Sequence, residues 1–317
     1  MKENLRIVFM GTPEFALETL KVLVENGKQV VGVVTMPDKP AGRGRKLQSS
    51  PVKIYAQSKN IPVLQPENLK DEKFITDLKA LQPDLQIVVA FRMLPKVVWQ
   101  IPPKGTFNLH ASLLPNYRGA APINWTIIKG EEVTGVTTFF IDEKIDTGAI
   151  IMQQEIKIAS KETAGTLHDK LMVIGADLVL KTVKIIEDDK VLPKPQPKNE
   201  TFAEAPKIFK ETCKIDWQQN GEGIERLIRG MSPYPAAWAN LQTNNQEQIA
   251  VKIYDADFSP ERHQEKFGTL QVNEKALQVF VPQGILTINE LQLPGKKRMK
   301  TKELLNGFAF ESHFILT

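Results

Sequence analysis

The sequence predicts two domains of different class: an α/β, Rossmann-like domain with a mostly parallel sheet, followed by a small β-barrel. Three observations carry this. The chain opens as strand, helix, strand over residues 5–35. Residues 191–206 hold four prolines, at 193, 195, 197 and 206, and read as an extended linker. Beyond it, short alternating strands run from Ala250 to Ile288 with Gly268 and Gly284 at turns, and many short strands within a region of about a hundred residues suggest a barrel. The expected boundaries are 1–190, 191–206 and 207–317.

The opening run Leu5–Met10 is apolar enough for a buried strand. Thr12 is placed to cap a helix that has Pro13 at its first position and stops at Gly27. Val30–Thr35 is a second strand, and a βαβ start implies a right-handed crossover in a parallel sheet. The turn is Gly-Thr-Pro rather than G-x-G-x-x-G, and no acidic residue ends the second strand, which argues against a dinucleotide-binding dehydrogenase. Ser50 and Pro51 open another helix, Asp71–Leu81 shows one apolar face at helical spacing, and Leu85–Ala90 is a strand covered on both sides. A helix over 123–129, strands over 133–141 and 150–158 and a long amphipathic helix over 163–188 complete the first domain.

With 42% hydrophobic and 25% charged residues, the 317-residue chain has an ordinary globular composition and enough length for two cores. A single cysteine, Cys213, excludes an internal disulfide and points to a reducing, cytoplasmic compartment. Four histidines and one cysteine make a Cys/His zinc site improbable, and no metal is expected. No signal-peptide pattern and no membrane-length apolar run is present, so no membrane partner is expected. A net charge of +4 permits an anionic partner without requiring one.

Two stretches concentrate that charge. Pro37–Lys46 carries four cations, one acid, two glycines and two prolines, a composition that cannot bury itself and predicts a mobile loop. Lys296, Lys297, Arg298, Lys300 and Lys302 fall within seven residues, although residues 207–317 as a whole are close to neutral. Each fits a solvated surface or a phosphate-docking arm.

Chemistry points to residues 106–122. Thr106, Phe107 and Leu109 alternate with Asn108 and His110, so an amide and an imidazole project from the same side of a strand. Such a pair suits acyl transfer, with Asn108 donating to a developing oxyanion and His110 moving a proton or lending charge; it also suits a strand end that caps neighbouring backbone. Pro115, Gly119 and Pro122 then hold an irregular loop.

The segment Asn108-Leu109-His110 followed by Ser112-Leu113-Leu114-Pro115-Asn116-Tyr117-Arg118-Gly119-Ala120-Ala121-Pro122, with Asp146-Thr147-Gly148 downstream, resembles the signature of formyltransferases that use 10-formyltetrahydrofolate. The loop Pro-Asp-Lys-Pro-Ala-Gly-Arg-Gly-Arg-Lys, together with Ile215-Asp216-Trp217 and Pro233–Trp238, is similar to the members acting on methionyl-tRNA, and the resemblance spans nearly the whole chain. It implies transfer of a formyl group from 10-formyltetrahydrofolate to the amino group of methionyl initiator tRNA, with Asn108, His110 and Asp146 catalytic and no metal. Asp146 would keep the His110 ring protonated and order the water that relays the amine's proton. The resemblance further implies that folate is met by Phe91, Arg92, Met93, Leu94, Ser112, Leu113, Leu114, Pro115, Ile141, Asp142 and Lys144. The chain departs from the family at Phe91-Arg92, where Tyr-Gly is usual. tRNA would be met by Arg43, Arg45, Lys46, Lys296, Lys297 and Arg298, and the barrel would be an OB-fold. A monomer is expected. Formyltransferases acting on a sugar amine or on glycinamide ribonucleotide keep the same triad, and the latter lack the second domain; a non-catalytic RNA-binding module would keep only the basic clusters.

Overall fold

The computed structural model describes residues 5–41, 46–197, 201–242, 247–272, 276–308, 310 and 314–317. The chain folds as two compact units, one of residues 1–119, 133–157 and 168–204, the other of 120–132, 158–167 and 205–317.

The first unit is built on a seven-stranded sheet. Its elements in order are β1 (Ile7–Gly11), α1 (Glu14–Glu25), β2 (Val30–Val34), β3 (Lys39–Ala41), β4 (Lys46–Gln48), α2 (Pro51–Ser58), β5 (Val63–Leu64), α3 (Glu72–Ala80), β6 (Leu85–Val89), α4 (Lys96–Trp99), β7 (Thr106–His110) and β8 (Arg118–Gly119). After α5 (Pro122–Lys129) come β9 (Val133–Phe140), β10 (Ile150–Lys157) and α6 (Ala164–Glu187). The sheet order is β10-β9-β7-β6-β1-β2-β5. The five strands from β7 to β5 are parallel, β9 runs antiparallel to β7, and β10 runs antiparallel to β9 and so again along the direction of the five. The order reverses beside β1: β2 and β5 extend to one side, and the chain then crosses to place β6 and β7 on the other. In parallel α/β sheets that reversal opens a ligand crevice at the carboxyl ends of the strands. Strands β1 and β6 are buried along their whole length, as strands covered on both faces must be.

Local chemistry sets the helix ends. Ser50 and Asp71 cap α2 and α3, accepting the backbone N–H of Lys53 and Phe74 at 3.1 and 2.9 Å. At α1 the expected cap differs: Pro13 holds the capping position without a side-chain bond. The Thr12 hydroxyl instead lies 3.4 Å from both Thr35 Oγ1 and the Met36 N–H, at the ends of β1 and β2. The stretch expected to be a mobile loop also differs in part, because β3 and β4 pair as an antiparallel ribbon, Lys39 opposite Gln48. Residues 42–45, with Arg43 and Arg45, lie outside the described residues.

The second unit holds β11 (Glu204–Ala205), whose Ala205 carbonyl accepts from the Ala120 and Ala121 N–H groups, then α7 (Gly221–Met231) and an antiparallel sheet. Its strands are β12 (Ala237–Gln242), β13 (Gln248–Pro260), β14 (Leu270–Val272), β15 (Leu277–Val281), β16 (Gly284–Gln292) and β17 (Met299–Lys300), followed by α8 (Thr301–Leu305) and β18 (Ile315–Leu316). The order β14-β15-β16-β13-β12-β18 curls until its ends meet: Thr269 bridges Ile315, and Leu316 donates to the Gly268 carbonyl at 2.8 Å. The result is a nearly closed barrel filled by Val251, Ile253, Val279, Leu286, Ile288 and Leu316. Sequence periodicity places its strands between 250 and 288, so it misses β12 and β18, which complete the circumference. Helix α5 packs on α7, with Asn124 Nδ2 donating to the Gly230 carbonyl at 2.7 Å.

Candidate active site

Strand β7 delivers the two central side chains. Leu109 points toward α6, where Gly175 receives it: a Cβ there would sit 2.9 Å from Leu109 Cδ2. By strand alternation Asn108 and His110 project from the opposite face. The connection between β9 and β10 folds back over that face and brings Asp146 Oδ2 to 3.8 Å from His110 Nδ1. The fold thus sets Asp146 against His110, on the strand face that Asn108 shares.

His110 is buried and its orientation is fixed. Nε2 lies 2.8 Å from the Tyr117 carbonyl, and since a carbonyl only accepts, Nε2 carries a proton. Nδ1 is therefore the atom turned to the carboxylate. Asp146 is held in turn by the Gly119 N–H, which donates to Oδ2 at 2.9 Å. Asp146 has φ of 55°, the left-handed region that costs a non-glycine residue about 1–3 kcal/mol and persists only where the surroundings over-determine it. Gly148 allows the return: a Cβ there would lie 1.7 Å from the Phe140 carbonyl oxygen, so any side chain would lift the Asp146 loop off the sheet. Asn108 is half-buried, and its amide makes no hydrogen bond among the described residues. A free amide two residues from an anchored ring, with a carboxylate across from the ring, can stabilise an oxyanion while protons move beside it.

The loop after β7 is tied down from below. The Leu114 N–H donates to Thr137 Oγ1 at 3.1 Å, Thr137 Oγ1 donates to the Ser112 carbonyl at 2.7 Å, and Gln153 Nε2 reaches the Leu114 carbonyl at 2.9 Å. Of the residues expected to meet folate, Ser112, Leu114 and Leu94 face the interior; the Ser112 hydroxyl donates to the Asn116 carbonyl. Phe91, Leu113, Pro115 and Ile141 are half-buried, and Met93, Asp142 and Lys144 are exposed. Asp142 Oδ1 accepts the Lys144 N–H and the Thr147 hydroxyl, closing the turn before Asp146.

Arg92 does not need glycine's freedom, since the left-handed residue of this segment is Ala90, with φ of 46°. Its guanidinium donates to the Pro66 and Glu67 carbonyls and lies 5.5 Å from the Phe91 ring centroid. The backbone N–H and C=O groups of Phe91–Leu94 make no hydrogen bond among the described residues. They lie beyond the end of β6.

The feet of the basic ribbon meet at Asp38. Its carboxylate accepts from Lys53 Nζ at 2.6 Å, Gln65 Nε2 at 2.9 Å and Ser49 Oγ at 3.1 Å. The Lys53 hydrogen bond, then that of Gln65, holds the carboxyl below its ordinary range. Nothing is described of the Lys46 side chain. In the second unit the side-chain ammonium groups of Lys296 and Lys297 have no partner among the described residues and both residues are exposed, whereas Arg298 is occupied: it pairs with Glu290 at 2.5 Å and stacks 4.4 Å from the Tyr254 ring centroid.

Sequence reasoning misses the groups that hold the triad, namely the Tyr117 carbonyl, the Gly119 N–H, Thr137, Gln153 and Gln196. Only Gln196 carries a signal: in Pro195-Gln196-Pro197 two prolines stiffen the backbone around one polar side chain. Among the described residues there is no group of three or more His, Cys, Asp or Glu that could hold a metal ion, and no helix long and apolar enough to cross a membrane.

A family model described as "Formyl transferase" matches residues 5–183, and one described as "Formyl transferase, C-terminal domain" matches residues 207–309. The methionyl-tRNA formyltransferase of Flavobacterium johnsoniae is 56% identical over 308 residues, covering 97% of this chain and 98% of its own. That of Bacteroides thetaiotaomicron is 55% identical, covering 97% of each. Among solved structures, a sugar 3N-formyl transferase, WlaRD, superposes with a TM-score of 0.64 at 20% identity over 93% of this chain and 100% of its own. HypX from Aquifex aeolicus, solved in complex with tetrahydrofolic acid, gives 0.63 at 18% over 96% of this chain and 47% of its own. These two show likeness of fold. The family match and the near-full-length relatives go further, and by them the chain belongs to the formyl transferase family.

Proposed function

We propose that this chain transfers a formyl group from 10-formyltetrahydrofolate to the amino group of methionyl initiator tRNA. The observation that carries the reading is the unpartnered amide of Asn108 beside His110, whose Nδ1 faces Asp146 Oδ2 at 3.8 Å. The residues present fit the donor: the free backbone groups of Phe91–Leu94 offer both donors and acceptors to a pterin edge, and the half-buried Phe91, Leu113 and Ile141 offer apolar contact. The donor supplies the activated formyl group, and the tRNA-borne amine is the nucleophile. Asn108 Nδ2 donates to the formyl oxygen as it gains charge, and His110 Nδ1 supports the same charge as a donor. Asp146 takes up the proton released by the amine through solvent and keeps His110 oriented. Neither a serine nor a cysteine nucleophile is required.

Residues 1–190 carry this chemistry, and 207–317 carry much of the tRNA affinity. Lys296 and Lys297 suit phosphate contact because they are exposed and their ammonium groups have no partner among the described residues. The segment from Pro37 to Lys46, which carries Arg43 and Arg45 between β3 and β4 in the sequence, is the arm for the acceptor end, working in the cytoplasm on a monomeric enzyme. The test is consumption of 10-formyltetrahydrofolate by purified protein. It should require charged initiator tRNA, and turnover on a sugar amine or glycinamide ribonucleotide without tRNA would overturn the reading.

A further inference from the structure

Gln196 is the most heavily used side chain near the triad, and the chemistry described above does not use it. It is 6% exposed. Its Nε2 donates to the Asp146 carbonyl at 3.0 Å and to the Gly148 carbonyl at 2.8 Å. Its Oε1 accepts from Arg118 Nε at 3.2 Å and Nη2 at 2.6 Å. The amide orientation is unambiguous, because carbonyls only accept and a guanidinium only donates. Arg118 is steadied on its other side by the Phe202 ring, 5.4 Å from the guanidinium carbon.

The two carbonyls that Gln196 binds flank the turn that presents Asp146. One belongs to Asp146 itself, in its left-handed conformation, and the other to Gly148, which packs against the end of β9. Arg118 immediately precedes Gly119, whose N–H binds the Asp146 carboxylate. One buried amide therefore joins the backbone of the Asp146 turn to the segment that grips the Asp146 side chain. Losing its donors frees the strained turn to relax, and the carboxylate then leaves its place opposite His110 Nδ1.

We propose that Gln196 is a positioning residue for formyl transfer, setting the location of Asp146 relative to His110. This rests on the reading of Asp146 as part of the catalytic triad. The discriminating change is Gln196→Glu. It keeps an acceptor for Arg118, now as an ion pair, and removes both donors to the turn. Gln196→Met has similar length and removes all four bonds; it serves where the charged variant does not fold.

The experiment measures kcat and both KM values for the full-length chain carrying Gln196→Glu, Gln196→Met, Asp146→Ala, and each Gln196 change combined with Asp146→Ala. The expected result is a tenfold or greater loss of kcat in the Gln196 variants, KM values within about twofold of the parent, and no further loss when combined with Asp146→Ala. Normal kcat in Gln196→Glu beside an impaired Asp146→Ala enzyme would overturn the proposal while leaving the triad intact. So would losses that multiply in the double variants, since those mark a general structural role. An Asp146→Ala enzyme of normal turnover would remove the reading of Asp146 itself, and with it the role of Gln196.

Discussion

His110 donates from Nε2 to the Tyr117 carbonyl across 2.8 Å, and this bond decides which ring nitrogen meets the chemistry. Tyr117 has φ of 60°, so its carbonyl is aimed by a local left-handed turn within the loop after β7. With Nε2 engaged, only Nδ1 is available on the side of Asp146.

Replacing His110 by Gln keeps a donor that can reach the Tyr117 carbonyl and removes Nδ1. We expect the variant to fold and to lose roughly a hundredfold or more in turnover, as His110→Ala, Asn108→Ala and Asp146→Ala should. Folate and tRNA binding should change little. Single-turnover formylation with equilibrium binding separates the two quantities, and near-parental turnover in His110→Gln would count against Nδ1.

Asp38 offers a pH test. Its carboxyl is held below the ordinary range chiefly by Lys53, so its contribution to stability is complete above the unfolded-state pKa near 4. That contribution is lost as pH falls through the lower, folded-state value. Asp38→Asn lacks it at every pH. The melting temperatures of parent and variant should differ near pH 7 and draw progressively together as pH falls below about 4. A gap of constant size down to pH 3 would show that Asp38 acts by shape rather than charge.

The fold is legible in the sequence wherever burial is simple. The wholly apolar β6, the Ser50-Pro51 start of α2 and the Asn26-Gly27 stop of α1 each depend on their neighbours in sequence, and each is read correctly. Thr12 is misread because a distant partner, the end of β2, outcompetes the local capping role. The ribbon of β3 and β4 is missed because its pairing is backbone to backbone, and its composition reads as loop. Asn108, His110 and Asp146 are picked out by a sequence motif, whereas the groups that hold His110 and Asp146 are mostly backbone groups placed by the turns at Tyr117 and Asp146, and residue identity does not advertise them.

Barrel closure gives a stability prediction. Phe314 and Leu316 are 6% and 4% exposed and belong to the short segment that joins the two ends of the sheet. Truncating either to Ala removes core volume and loosens the seam, at a cost of about 2–5 kcal/mol for a buried large-to-small change. Denaturant unfolding of the full chain should show the loss. Folate binding should be untouched if the effect is confined to the barrel.

The last prediction concerns Arg43, which lies outside the described residues and falls in the sequence between β3 and β4, the two strands of the basic ribbon. Its feet are fastened through Asp38 to α2 and to Gln65, so the ribbon leaves the first unit from a fixed base. A fixed base suits an arm that positions a substrate better than one that merely supplies charge. The two roles separate chemically, because Arg43→Lys keeps the cation and loses the planar fork, and Arg43→Ala loses both. If the arm only attracts RNA, Lys should restore nearly all activity, and the salt dependence of binding should match the parent's. If it positions the acceptor end, Arg43→Lys should stay impaired in turnover while its affinity for non-specific RNA is almost intact. We expect the second outcome, with folate binding unchanged in both variants, because no residue of this segment is among those expected to meet folate. Formylation rates measured beside salt-dependent tRNA binding decide it, and an Arg43→Ala enzyme as active as the parent on initiator tRNA would return this ribbon to plain solvated surface.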